Sequence, residues 1–326
     1  MKKVPVSVLL KKEAEDLKLK LVYGKKYIKD RYIANYRIQK PGLALTGFTD
    51  HIHEERVQIL GNTEVSYLWQ LTPKEREDSL RKIFSLPICC FIITKNLRVP
   101  KEFNFAIKRS GIPLFKTEHL SSVAIREISS YLEELLAPET NSHGVFMDIF
   151  GVGVLIRGRS GIGKSECAVE LIKRGHRLVA DDAVNFKKIQ DYLVGTSSDL
   201  LRYHMEVRGL GIINIKDMFG VTAIRLRKKL EMVIEFVDWD SDASYDRLGL
   251  EDLTYEILEE KIPKLLLPIS AGRNMAVIVE VAARNHLLKI MGYNSAKAFS
   301  EKLLNQTTGR VKIEEEEQHL WNKRVE

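Results

Sequence analysis

One stretch constrains this 326-residue chain more than any other: VGVLIRGRSGIGKSECAVELIKRGHRLVADDAV, residues 152–184. Within it Gly158, Arg159, Ser160, Gly161, Ile162, Gly163, Lys164 and Ser165 fit G-x-x-x-x-G-K-[ST] at every fixed position. Each residue type has a task. The glycines let the backbone wrap closely and turn its N–H groups inward, making an anion nest at a helix N-terminus. Lys164 carries a movable positive charge to the outer phosphates of a nucleotide, and the Ser165 hydroxyl is suited to Mg²⁺. A random chain of this length would match the pattern roughly once in a hundred trials at ordinary Gly, Lys and Ser usage. An apolar strand before the loop and an amphipathic helix, ECAVELIKRG, after it make coincidence a poor account.

RLVADD then reads as a strand ending in Asp181 and Asp182. A carboxylate at the end of a strand beside the phosphate-loop strand is where such proteins hold Mg²⁺ or a catalytic base. Two adjacent aspartates divide those roles between a metal and a proton. Sequence alone leaves open which aspartate takes which.

The length predicts two domains, each with its own core. A break falls near residues 136–143, where LAPETNSHG gathers Pro, Asn, Ser and Gly, giving an N-terminal α/β domain over 1–135 and a phosphate-loop domain over 136–326. In the first, GLALTGF and EVSYLWQL read as strands, LPICCFIITKN as a buried strand, and PKEFNFAIKRSG and SSVAIREISSYLEELLA as helices. Thr72-Pro73-Lys74-Glu75 is a helix start with a capping box and Pro at the first helical position. His51 and His53, lacking a third ligand, read as surface residues. The second domain opens with GVFMDIF and VGVLIRG as a hairpin around Gly151.

Cys89, Cys90 and Cys167 lack metal-ligand spacing and read as core residues in a reducing cytosol. No run reaches the roughly 20 apolar residues of a membrane span, and the basic N-terminus lacks a cleavage site, so a cytoplasmic protein is expected. The net charge of +7 is partly local. Nine lysines against four acids in residues 1–30 read as a solvated surface or the footprint of an acidic protein partner rather than a nucleic-acid site. The EEEE run at 314–317 reads as a solvated face or tail.

Three further strings carry a resemblance: MEVRGLGIINIKDMFG (205–220), YDRLGL (245–250) and GRNMAVIVEVAARNHLLKIMG (272–292). With the phosphate loop they resemble the HPr kinase/phosphorylase family, closely over about residues 143–300 and more weakly over 1–135. The resemblance implies an α/β kinase domain akin to the phosphoenolpyruvate carboxykinase core. It implies a bifunctional enzyme that uses ATP and Mg²⁺ to phosphorylate a serine on HPr, the phosphocarrier protein of the bacterial sugar phosphotransferase system. The same enzyme would remove that phosphate with inorganic phosphate, releasing pyrophosphate, and so regulate carbon metabolism. It implies a homo-oligomer, a hexamer in the family, with a C-terminal helical region that contacts HPr. Residue by residue, it implies that His143 contacts the transferred phosphate and that one of Asp181 and Asp182 exchanges the seryl proton. Glu206 would help hold the metal and Arg247 would clamp the moving phosphoryl group. Arg208, Gly209 and Gly211 belong to the matching 205–220 string, and Pro268, Gly272 and Arg273 to a segment tied to the reverse reaction. There the chain has Ser270 where the family commonly has a basic residue, so kinase activity is expected intact and phosphorolysis weakened. Three other readings remain open at this point: a small-molecule kinase on the same scaffold, a nucleotide-gated regulatory switch that binds nucleic acid, and an oligomerisation or scaffold role for residues 1–135, which can coexist with catalysis.

Overall fold

The computed structural model describes residues 2–239, 253–270 and 272–304. The chain divides into two units, 1–138 and 139–326. Arg247 and the EEEE run lie outside the described residues.

In the first unit β1 (Val4–Pro5), β2 (Lys20–Tyr23) and β3 (Tyr32–Ile33) precede α1 (Gly42–Leu45), β4 (Gln58–Leu60), α2 (Asn62–Gln70) and α3 (Pro73–Phe84). Then come β5 (Phe91–Ile93), α4 (Lys101–Ser110), β6 (Leu114–Lys116) and α5 (Ser121–Leu136). The sheet order is β2-β6-β5-β4, with β4, β5 and β6 parallel. Alternate strand residues explain why helices cover both faces. Ile59, Ile92 and Phe115 pack with Ala124, Ile128 and Leu132 of α5, while Leu60, Phe91, Ile93 and Leu114 pack with α2, α3 and α4. Cys89 and Cys90 are buried here, and His51 and His53 are exposed. Thr72 caps α3 as expected: Glu75 N–H donates to its Oγ1, and its own N–H donates to the Glu75 carboxylate at 2.9 Å.

Two segments differ from the sequence expectation. GLALTGF contains the short helix α1, and EVSYLWQL lies in α2. In α2 the buried residues Glu64, Val65 and Leu68 recur at helical spacing, and Glu64 reaches back to accept from Gly61 N–H at 2.8 Å, which fixes the first turn. A short apolar run fits both periods, and the cap decides it.

The second unit contains β7 (Glu139–His143), β8 (Val145–Ile149), β9 (Val152–Arg157), α6 (Lys164–Lys173), β10 (Arg177–Ala180), β11 (Ala183–Ile189) and β12 (Tyr192–Ser197). It continues through β13 (His204–Val207), β14 (Gly211–Asn214), α7 (Ile215–Phe219), β15 (Arg227–Lys229), β16 (Met232–Asp238), β17 (Thr254–Ile257), β18 (Glu260–Ile269) and α8 (Met275–Ile290). Residues 295–304 are helical. The central sheet runs β10-β8-β9-β16-β18-β17, with β9, β16 and β18 parallel and β8 antiparallel to both its neighbours. A second sheet, β15-β12-β11-β7, packs on one face. Phe146, Leu155 and Val233 meet Phe186 and Leu193 there. On the other face Val154, Ile156 and Ile234 meet Ala168 and Leu171 of α6 and Ala276, Val279 and Ala283 of α8. Because β8 and β9 are covered on both faces, they are apolar on both, apart from the buried Asp148 of β8, which pairs with Arg225. Gly153 permits the closest approach between the layers: a methyl group there would overlap the Lys229 carbonyl oxygen.

Candidate active site

The topology gathers the chemistry at one edge. Strands β9, β10, β16 and β18 all end there and β8 begins there, which is where open α/β sheets bind ligands. One expectation needs correcting. The strand that ends at the aspartate pair is not beside the phosphate-loop strand, because β8, folded back on β9 around Gly151, takes that place. Two reversals restore the direction of β10, so its end still reaches the same edge.

The loop 158–165 leaves β9 and enters α6 with Gly161 at φ 74° and Gly163 at φ 99°, values that favour glycine. Gly158 backs onto the Phe236 carbonyl of β16, 2.7 Å from where a β-carbon would sit. Lys164 Nζ donates to the carbonyl oxygens of Gly158 and Arg159, each at 3.0 Å, so the ammonium lies across the mouth of its own loop. The Arg208 guanidinium, in the turn between β13 and β14, lies 2.9 Å from the position of a methyl at Gly161. Arg159 makes a two-point ion pair with Asp238 at the end of β16, 2.7 Å at each contact.

Asp181 is buried, and its Oδ2 accepts from the backbone N–H of Glu206 at 3.0 Å. Burial pushes its carboxyl up to about 6, against the smaller opposing effects of the Glu206 and Asp182 backbone N–H groups and the Lys164 charge. Asp182 is exposed, with φ 64°, and its carbonyl accepts from Gly144 N–H at 3.0 Å. The pairing of Ala183 with His143 across β7 and β11 brings the His143 Nδ1 to 3.7 Å from Asp182 Oδ1. Glu206 is exposed on β13. Arg273 donates to the Pro268 carbonyl at 3.4 Å, and Gly209 and Gly211 flank the tip of the β13–β14 turn.

His143, the phosphate loop, Asp181, Asp182, Glu206 and Arg208 are therefore linked by a chain of short contacts. Asp238 and Trp239, which follow the apolar run MVIEFV, were not singled out by sequence reasoning. That run ending in an acid was the available signal. Among the described residues no three His, Cys, Asp or Glu side chains come together as a metal site of their own, so an ion at this edge would take phosphate oxygens and waters besides one or two carboxylates, the mode that suits Mg²⁺.

The buried aspartate has a measurable consequence. A carboxyl whose folded pKa is raised holds its proton longer folded than unfolded, so the contribution of Asp181 to stability falls as pH rises from about 3.8 to about 6 and is flat above. Asp181→Asn is expected to raise stability at pH 7.5 by about 2 kcal/mol and to remove that slope. Thermal unfolding across pH 4–8 checks it; a variant no more stable than wild type at pH 7.5 refutes it.

Residues 134–303 match the family described as HPr Serine kinase C-terminal domain, and residues 4–132 match HPr Serine kinase N terminus. The HPr kinase/phosphorylase of Geobacter sulfurreducens is 56% identical over 273 residues, 83% of this chain and 86% of that protein. The HPr kinase/phosphorylase of a Thermoanaerobacter species is 44% identical over 307 residues, 94% of this chain and 99% of that protein. Among solved structures, the Hpr(Ser) kinase/phosphatase from Coxiella burnetii aligns with 35% identity and a TM-score of 0.45, covering 49% of this chain and 98% of that one. No described helix is long and apolar enough to cross a membrane. With both halves of the sequence matched and whole-length relatives at this identity, the chain belongs to the HPr kinase/phosphorylase family.

Proposed function

We propose that this chain is a cytoplasmic, ATP- and Mg²⁺-dependent protein serine kinase that phosphorylates HPr and, in reverse, moves the phosphoryl group from phosphoserine to inorganic phosphate. The observation that carries this reading is the convergence of the 158–165 loop with His143, Asp181 and Asp182 on one sheet edge. In the forward direction the seryl oxygen attacks the terminal phosphorus of ATP, the bond to the bridging oxygen breaks, and an aspartate takes the seryl proton. In reverse, a phosphate oxygen attacks the phosphoserine phosphorus, the seryl oxygen leaves and recovers its proton, and pyrophosphate departs.

Asp182 is the better placed proton acceptor. It is exposed at the edge and so can meet a hydroxyl arriving on another protein, whereas Asp181 is buried against Glu206 N–H and feels the Lys164 charge. His143 stands beside Asp182, where it can orient the carboxylate and contact the moving phosphoryl group. The loop amides and Lys164 hold the phosphates, and Arg208 adds a fixed charge over Gly161. Bound Mg²⁺, which Ser165 and Glu206 would hold, supplies neutralisation of the phosphate charge. Arg247 keeps the phosphoryl-clamping role implied by the family motif, and the chain is proposed to work as a homo-oligomer. Helix α8 buries Ala276, Val279 and Ala283 and leaves Val277, Val281 and Leu288 exposed, an apolar face open to HPr or to a second copy.

Incubation with ATP, Mg²⁺ and purified HPr is expected to place phosphate on one HPr serine, identified by peptide mass. Labelled phosphate on a metabolite instead would overturn the assignment. In the same assay, the missing charge at Ser270 is expected to make pyrophosphate release from phosphorylated HPr several-fold slower than the forward reaction at millimolar phosphate, with Ser270→Arg restoring it. Equal wild-type rates in the two directions would remove the proposed effect of that serine.

A further inference from the structure

We infer that Trp239 and Arg273 form the surface on which the base of the bound nucleotide stacks. The inference rests on the nucleotide-dependent reading above and adds the part of the ligand that no sequence motif addresses. Sheet order carries the first step. The proton-handling groups, His143, Asp181 and Asp182, lie at the ends of β7, β8 and β10, on one flank of the phosphate loop. The phosphoryl group being transferred must face that flank, because the seryl oxygen has to reach both it and a base. A nucleoside triphosphate is a rod with its base at the far end, so the nucleoside leaves across the opposite flank, over the ends of β16 and β18.

That flank presents a flat pair of side chains. Trp239 follows β16 directly and is 54% exposed, a large apolar area to leave facing water. The Arg273 guanidinium, which precedes α8, lies 5.9 Å from the centre of the indole. The register places both near the phosphates. Glu235 pairs with Arg157, and Phe236 supports Gly158. Asp238 then ties to Arg159, so Trp239 is one residue from a side chain bonded to the loop. An indole and a guanidinium plane are the two side chains that best stack on a base, with attraction from dispersion and from the cation above the ring. The competing account is that the pair only braces residues 272–274 against β16. A brace would influence every phosphate ligand alike, whereas a stacking surface senses only ligands that carry a base.

Equilibrium binding of ATP and of inorganic triphosphate, each with Mg²⁺, separates the two. Trp239→Ala is expected to weaken ATP about tenfold, to leave triphosphate within about twofold, and to keep kcat at saturating ATP. Trp239→Phe, which retains a ring, is expected to stay within about threefold of wild type for ATP. Equal loss for both ligands, or ATP affinity unchanged in Trp239→Ala, overturns the proposal while leaving the phosphate site standing. Wild-type protein that binds neither ligand overturns the phosphate site, and the stacking surface with it.

Discussion

Lys164→Ala is expected to reduce the forward and reverse rates alike by about a thousandfold or more. The ammonium lies across the mouth of the loop, and its two bonds, to the Gly158 and Arg159 carbonyls, are contacts that incoming phosphates can replace. In each direction a phosphoryl group passes between the seryl oxygen and a phosphate oxygen held by the loop, so one missing donor affects both. The fold should survive: Lys164 is the first residue of α6, half-buried, and the helix remains anchored by Cys167, Ala168, Leu171 and Ile172. The check is a pair of rate measurements, HPr phosphorylation and pyrophosphate release, alongside a melting curve. A folded variant within tenfold of wild type in either direction would refute the proposed role.

Asp182→Asn is expected to lower kcat of the forward reaction by about 10²–10⁴ with little change in the KM for ATP, the signature of a lost proton acceptor. Asp181 should show itself differently. With its carboxyl near 6, kcat/KM of the free enzyme should fall as the solution is acidified through that value, because protonation removes a negative charge next to Lys164. Asp181→Asn should abolish that acid limb, and Asp182→Asn should keep it. If Asp182→Asn retains wild-type kcat and Asp181→Asn does not, the two assignments are reversed.

The turn from β9 into α6 and the strand that stops at Asp181 and Asp182 were legible in sequence because their signals are local: fixed glycine spacing between a strand and a helix, and an apolar run ending in two acids. The capping box at Thr72 was legible for the same reason. The misread segments, α1 and α2, are short, and their apolar residues satisfy two periods at once. The place of β8 between β9 and β10 was not legible, because strand order is decided by which partners cover which faces. Nor were Asp238 and Trp239, which matter only because β16 lies parallel to β9, far away along the chain. His143 was picked out by resemblance, but its closeness to Asp182 comes from the register of β7 on β11.

The hairpin of β8 and β9 also bears on how the protein is made. His143, the loop and both aspartates lie in the consecutive stretch 143–182, joined by short connections whose closure is entropically cheap. This part can assemble as it leaves the ribosome, before β16 has been synthesised. Until then β9 offers a bare, apolar edge to other chains, so newly made protein is most prone to stick while that later strand is still missing.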